Sequence, residues 1–301
     1  MFKVTDFKYQ PLVSVVIPTY NMSKYIAESV NSVLTQTYRH LDVIVIDDGS
    51  DDNTKLAVEP LLSDSRLTYH YQDNSGAPSA RNKGVSLARG EFVAFNDADD
   101  IWKPEKLQKQ VKLFQHDTAT GVVYSDRLWI DGDGCEIESP PKYRYRGSAA
   151  YRTLIIENVV PMSSAVVRRS LLSQVGGFDE RFPCGDDWDI WLRLSTHTSF
   201  DYVADALVLH RKWPQQMTRS KLPFAQANFD IYRKWIDSNP GILSRRELLH
   251  GWAARHARYS RALFRVGRKP EAFKAAFRAL WCFPTNHMSW KHLVKMFLGY
   301  C

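Results

Sequence analysis

Gly90-Glu-Phe-Val-Ala-Phe-Asn-Asp-Ala-Asp-Asp-Ile-Trp-Lys-Pro104 changes character twice within fifteen residues. The apolar run Phe92 to Phe95 reads as a short buried strand. It gives way to three carboxylates in four positions, Asp97, Asp99 and Asp100. Pro104 then precedes a helical pattern through Leu107, Val111 and Leu113, and proline suits a first helical turn. The carboxylates therefore sit just past the carboxyl end of a strand, where open α/β sheets place their ligands. Hard oxygen donors gathered there suit Mg²⁺ or Mn²⁺. A polar turn that caps the next helix accounts for the same residues.

The segments on either side repeat the strand-then-turn rhythm. Leu12 to Ile17 is a β-branched run ended by Pro18-Thr-Tyr-Asn21, with Ser23 placed to cap a helix through Ile26, Val30, Val33 and Leu34. Leu41 to Ile46 ends at Asp47-Asp-Gly-Ser50 and is followed by a short helix near Thr54 to Leu62. Leu67 to Tyr71, the turn Asp73-Asn-Ser-Gly76 and a helix from about Ser79 to Ala88 complete the front of the chain. Strands alternating with helices predict a mostly parallel sheet with right-handed crossovers, an α/β fold. Gly121 to Ser125 reads as a fifth strand, Asp131-Gly-Asp-Gly134 as a turn in a hairpin, and Ala165 to Arg168 as another short strand. Asp186 and Asp187 precede a helix carrying Trp188 and Trp191, where carboxylates are favoured by free N–H groups. From about Pro223 the pattern is helical to the end.

Composition bounds the class. With 301 residues, 44% of them hydrophobic, the chain can bury a full core. No apolar run approaches the ~18 residues of a membrane span. The start of the chain lacks the long apolar core of a signal peptide. Cys135, Cys184, Cys282 and Cys301 form no Cys-x-x-Cys pair, which argues for neither a zinc cage nor a disulfide framework and fits a cytoplasmic setting. Charge is divided unevenly. From Arg211 onward 18 Lys and Arg face 4 Asp and Glu, giving +14, while the preceding 210 residues hold 22 against 29, giving −7. A tail this basic suggests an anionic partner.

The motifs together resemble those of family 2 glycosyltransferases. The matching stretches are Val13 to Asn21, Val45 to Ser50, Asn74 through Ala80-Arg-Asn-Lys-Gly84, Phe95 to Asp100, Gly176-Gly-Phe-Asp179 and Gly185-Asp-Asp-Trp-Asp189. They cover roughly residues 11 to 219, in order. The resemblance implies a GT-A fold, a nucleoside-diphosphate sugar as donor (a UDP-sugar above all), a divalent metal (Mn²⁺ or Mg²⁺) and inversion at the transferred carbon, in bacterial polysaccharide biosynthesis. It implies a transferase domain over 1–220, its nucleotide-sugar half at about 11–120 and its acceptor half at about 121–220. A basic helical extension follows over 221–301.

Carried over residue by residue, Asp48 reads the nucleobase and Asp97 the ribose, Asp99 binds the metal and Asp187 is the general base; Asp100 braces the turn. Tyr20 suits stacking on a base, and Pro18 shares its turn. Arg81, expected at a helix start, suits a diphosphate. Helix capping by Asp47, Asp48, Asp186 and Asp187, and a solvated Arg81, stand as the plain readings beside these. The first residue of the base motif is Asp186 where the family has Glu. In place of the family's Tyr-Arg-x-His, this chain has His210-Arg-Lys-Trp213, so Arg211 and Lys212 are candidates for diphosphate charge. The acceptor is expected to be a saccharide or lipid-linked glycan.

Trp252, Arg255, Arg258, Tyr259, Arg261 and Arg265 mix cations with aromatics on helices. They suggest peripheral attachment to the cytoplasmic face of an inner membrane. A solvated face of a helical bundle explains them equally, and no nucleic-acid module is evident. Two other functions compete. A sugar-phosphate nucleotidyltransferase would want a basic, Gly-rich loop where Pro18-Thr-Tyr-Asn21 stands. A degenerate transferase fold acting as a carbohydrate-binding scaffold is opposed by the presence of Asp99 and Asp187.

Overall fold

The computed structural model describes residues 10–139, 144–213, 221–285 and 287–298. Strands β1 (Val13–Thr19) and β2 (Leu41–Asp48) are separated by helix α1 (Ile26–Leu34). Helix α2 (Thr54–Val58) leads to β3 (Leu67–Gln72), and α3 (Ala77–Leu87) to β4 (Phe92–Phe95). Then come β5 (Ile101–Trp102), α4 (Lys106–His116), β6 (Thr120–Ile130) and β7 (Glu136–Ile137). Helix α5 (Tyr151–Leu154), β8 (Val166–Arg168), α6 (Arg169–Gln174), α7 (Asp186–Leu194) and β9 (Ser199–Arg211) complete the sheet region. Four helices follow: α8 (Lys221–Ser238), α9 (Arg245–Arg265), α10 (Lys269–Cys282) and α11 (His287–Phe297).

The strands form one mixed sheet in the order β3-β2-β1-β4-β8-β6-β9-β5, with β7 beside β6. β3, β2, β1 and β4 run parallel. β8 is antiparallel to both β4 and β6, and β9 is parallel to β6. β1 and β2 are buried along their whole length, as parallel strands covered on both faces must be. Their side chains alternate between two cores. Val16, Ile44, Ile46 and Phe95 face one, with Trp188 and Trp191 of α7; Val13, Val15, Ile17, Val43 and Val45 face the other, with Val30 of α1 and Val111 of α4. Gly84 of α3 lies so close to β1 that a Cβ there would stand 2.2 Å from Val16. α8 buries Ile231, Tyr232 and Trp235 in the same core as α7. The last three helices build a cluster of their own from Leu263, Ala272, Ala275, Ala276, Leu280, Leu293 and Met296.

Three local expectations change. Ser23 does not cap α1; Tyr25 holds the cap position with no side-chain bond, and the Ser23 N–H donates to Asp52 instead. Pro104 lies ahead of α4, its carbonyl accepting from the Thr37 N–H, because β5 intervenes between the acidic turn and the helix. β9 runs for 13 residues to Arg211, where the sequence alone marks His210 as a strand-end histidine without giving the strand's extent. The tail beyond β9 also faces differently from expectation. Arg255 is fully buried, Arg258 donates to Ile156 and Glu157, and Trp252 packs on Tyr232. These three residues turn toward the sheet domain because α9 lies against α8, so they do not form an outer basic surface. Arg261 and Arg265 remain exposed.

Candidate active site

β1 has β2 on one side and β4 on the other, so the chain reverses its direction of travel across the sheet between β1 and β4. Crevices at such points, beyond the carboxyl ends of the strands, are where this kind of sheet binds ligands. The loops after β1, β2 and β4 meet there. Pro18 is buried within β1 opposite Ile46, whereas Tyr20, just past the strand, is exposed. Asn21 takes a left-handed conformation, φ 53°, which asparagine tolerates better than most residues. Its side chain accepts from the Asp51 N–H at 3.0 Å and its own N–H donates to Ser50 Oγ at 2.9 Å, joining the first two loops. Asp47 turns inward to Tyr69 and the Ser50 N–H. Asp48 accepts from Gln72 Nε2 at 2.7 Å and from the backbone N–H groups of Ser75 and Gly76. It thereby pins the loop that opens α3. Gly49, at φ +84°, allows this closeness, since a Cβ would meet the Asn74 nitrogen at 2.7 Å.

The acidic turn after β4 is held from three directions. Asp100, fully buried, accepts from Ser163 Oγ at 2.5 Å, pairs with His210 Nδ1 at 2.9 Å and accepts from the Arg211 N–H at 3.0 Å. Burial alone would raise its pKa, but His210 and these donors hold it below the usual value. It braces the turn. Asp99 accepts from the indole N–H of Trp213 at 2.8 Å. Trp213 also tilts against Tyr25, and with Asn21, Met22, Ser23 and Lys24 these residues line a cavity of about 290 Å³. Arg211 is buried and donates to the carbonyls of Asp99, Asp131 and Gly132 and to Glu28. The suggestion that Arg211 supplies diphosphate charge is therefore overturned, because its guanidinium is spent on holding loops. Lys212 lies over the Trp129 ring. Residues 214–218, which follow the altered Tyr-Arg-x-His stretch, lie outside the described residues.

Arg81 joins the two acidic clusters. It is the fifth residue of α3, not its first, and its guanidinium is buried. Nη2 donates to Asp97 Oδ1 at 2.9 Å while Nη1 pairs with Asp186. Burial disfavours its charge, but Asp186 and Asp97 keep it protonated. The turn after β4 and the start of α7 thus face one cleft. Asp187, half-buried, accepts from the Trp188 N–H at 2.7 Å and from Asn158 Nδ2 at 2.8 Å. Burial, with the charge of Asp186 added, pushes its carboxyl up to about 6. Asp186 is also raised by burial, opposed by Arg81.

Sequence reasoning passed over two residues here. Arg127 of β6 lies in the field of Asp100, Asp187 and Asp97, and burial lowers its pKa. No hydrogen bond or ion pair ties it to a neighbour among the described residues. An arginine beside Asp126 in the second half of a strand was the available signal. Asn158, which holds Asp187, gave none.

The family model described as glycosyl transferase family 2 matches residues 14–176. The chain belongs to this family. Its relatives include a putative teichuronic acid biosynthesis glycosyltransferase, TuaG of Bacillus subtilis, 44% identical over 230 residues that span 75% of this chain and 89% of TuaG. Among solved structures, S. aureus TarS (residues 1–349) in complex with UDP-GlcNAc superposes with a TM-score of 0.69 at 19% identity, over 96% of this chain and 92% of TarS. A mannosyltransferase from Pyrobaculum calidifontis in complex with GDP-Man and Mn²⁺ gives 0.65 at 24% identity, covering 90% and 76%. The mixed sheet with its helical tail is the GT-A architecture of these neighbours.

A divalent ion fits the donor set in one way. No three carboxylate, imidazole or thiolate groups converge into a closed cage among the described residues. Mg²⁺ and its like are commonly held by one or two carboxylates, with substrate phosphates completing the shell. Asp99 at the cleft meets that requirement. Trp213, at the position where the motif predicts His, has no nitrogen lone pair to offer.

Proposed function

We propose that this family 2 chain transfers a sugar from a nucleoside-diphosphate donor, expected to be a UDP-sugar, to a hydroxyl of a saccharide or lipid-linked glycan, with inversion. The observation that carries this reading is the Arg81 bridge between Asp97 and Asp186, which puts two acidic clusters from distant parts of the chain across one cleft. Tyr20, Pro18 and Asp48 flank the place for the base, and Asp97 the ribose. Asp99 would hold a divalent ion with the diphosphate, and that ion supplies charge stabilisation for the departing group. Arg127 contributes a guanidinium to the same group, a part that Arg81, committed to two carboxylates, leaves open. Asp187 takes the proton of the acceptor hydroxyl as it attacks the face opposite the leaving group. A pKa of about 6 leaves it deprotonated at neutral pH yet basic enough to help. Below that value turnover falls about tenfold per pH unit; above it the rate is flat. UDP release with Mn²⁺ on mixed acceptors tests the proposal. Asp187→Asn should lose at least about a hundredfold in kcat, as expected for a removed general base, and Asp99→Ala should lose turnover through the missing charge stabilisation of the leaving group. Release at the wild-type rate by Asp187→Asn refutes the base assignment.

We also infer peripheral attachment to the cytoplasmic face of an anionic membrane, through a different face from the one expected. α10 and α11 expose Phe277, Trp281, Trp290, Val294 and Phe297, Trp281 at 89%, and Leu298 just past α11 is exposed too. Lys274, Arg278, Lys291 and Lys295 are exposed beside them, and no Asp or Glu occurs from Lys274 to Leu298. Cations interleaved with aromatics suit lipid headgroups. Among the described residues no helix is long and apolar enough to cross a membrane. Sedimentation with anionic vesicles should be lost in Trp281→Ser and in high salt. Self-association with no lipid binding overturns this.

A further inference from the structure

The carboxylate of Asp187 is oriented by two donors, the Trp188 N–H on Oδ1 and Asn158 Nδ2 on Oδ2. Both are tied to α9, roughly a hundred residues further along the chain for Asn158. The Ile156 carbonyl, two residues before Asn158, accepts from Arg258 Nη2 at 2.6 Å and from Arg255 Nη2 at 3.3 Å. Arg258 also closes on Glu157 Oε2 at 2.7 Å. The Trp188 ring lies under Arg255, whose guanidinium carbon is 4.3 Å from the ring centroid. The indole N–H of Trp188 reaches the Leu154 carbonyl at 2.8 Å. α9 therefore grips both sides of the Asp187 environment, the 154–158 loop and the first turn of α7.

Arg255 is an expensive way to fill that space. It is fully buried, and among the described residues it pairs with no carboxylate and its Nε and Nη1 make no hydrogen bond. Burial drives its pKa well below the ordinary value. A desolvated cation is costly, and an apolar side chain of similar size often fills such a place more cheaply. Packing alone does not account for an arginine here. What the guanidinium adds is directional: a hold on one carbonyl and one indole face.

We propose that α9 is a positioning element for Asp187, with Arg255 and Arg258 fixing the 154–158 loop so that Asn158 and Trp188 aim the carboxylate into the cleft. The proposal rests on the reading of Asp187 as the base. Neither arginine meets substrate; both act through Asn158 and Trp188.

The test uses the full chain, with kcat, donor KM, the pH profile and the melting temperature measured for each variant. Asn158→Ala should lower kcat about tenfold or more and leave donor KM unchanged, because a half-buried hydrogen bond to a charged group is removed. It should also raise the rate midpoint by about one unit, since the lost bond favoured the ionised form. Arg258→Met should show the same two changes at smaller size, with Arg258→Lys partly restoring both. Arg255→Met should follow Arg258→Met; should it fail to fold, the half-buried Arg258 series carries the test. A folded Arg258→Met with wild-type kcat and midpoint, beside an impaired Asn158→Ala, overturns the role of α9 and leaves the base reading intact. Wild-type turnover by Asp187→Asn overturns the base reading, and this proposal with it.

Discussion

Replacing Arg81 by Met strips the cleft of the guanidinium that touches both acidic clusters and keeps most of its apolar bulk. In the wild type it donates to Asp97 at 2.9 Å and pairs with Asp186, with Asp187 also in its field. Removing one partner of a buried ion pair typically costs about 3–5 kcal/mol, because the remaining charge stays desolvated. Protonation relieves that cost. Asp186 already titrates above its usual value because of burial, and without Arg81 it rises further. A carboxyl whose folded pKa is raised lowers stability above that pKa, and the penalty fades as pH falls toward the unfolded value. Arg81→Met should therefore be less stable by about 3–5 kcal/mol at pH 8 and by distinctly less at pH 5. Catalysis shifts with it. Asp187 loses the nearby guanidinium charge that held its pKa, about 6, from rising further. If the midpoint rises by about one unit, the deprotonated fraction falls about twofold at pH 7 and about fivefold at pH 6. Denaturant melts at the two pH values and UDP release across the neutral range measure both effects. A stability loss that does not vary with pH, together with an unmoved rate midpoint, refutes the coupling between the clusters.

Other expectations follow from single contacts. Arg127→Gln should raise donor KM, or the Kd for UDP, by about tenfold or more, as for a lost charge-assisted bond, and titration calorimetry with UDP checks it. Trp213→His places a ligating nitrogen near Asp99; Mn²⁺ should then raise the melting temperature of the UDP complex more than it does in the wild type. Lys106 has no exposed surface, and its ammonium lies 3.7 Å from the Trp102 ring centroid without a hydrogen bond among the described residues. Burial holds its pKa well below 10.5, so the ionised form is penalised below that value. Lys106→Met should stabilise the protein by about 1–4 kcal/mol near neutral pH, with the gain shrinking as pH approaches 10.5, read by denaturant melts.

The parts that were legible in the sequence are those whose signal is local. β1, β2 and β4 are runs buried on both faces, and each ends in turn residues, so strands and ligand edge could be read together. The length of β9 was not legible: its sequence alternates unevenly and its pairing with β6 breaks register at several points, so a long strand exists there because β6 and β5 offer it partners. The candidate carboxylates were found as residues, since clustered Asp after a strand is a local pattern. Their partners were not. Arg81 meets Asp97 across 16 positions and Asp186 across 105, and nothing at residue 81 announces either.

The basic tail shows why a charge count cannot stand in for a surface. The +14 after residue 210 is correct as a sum, but Arg255 adds nothing to an outer face from inside the core, and Arg258 is turned onto Glu157. Which helix face points outward is set by the alanines of α10. Ala272, Ala275, Ala276 and Ala279 are all buried and let α10 lie close to α9, which leaves Phe277, Arg278 and Trp281 outside. Small residues at helical spacing thus decide the direction in which large ones point. The cations that remain exposed beside those aromatics, not the total, set what the tail can meet, and the buried ones act inward on the cleft.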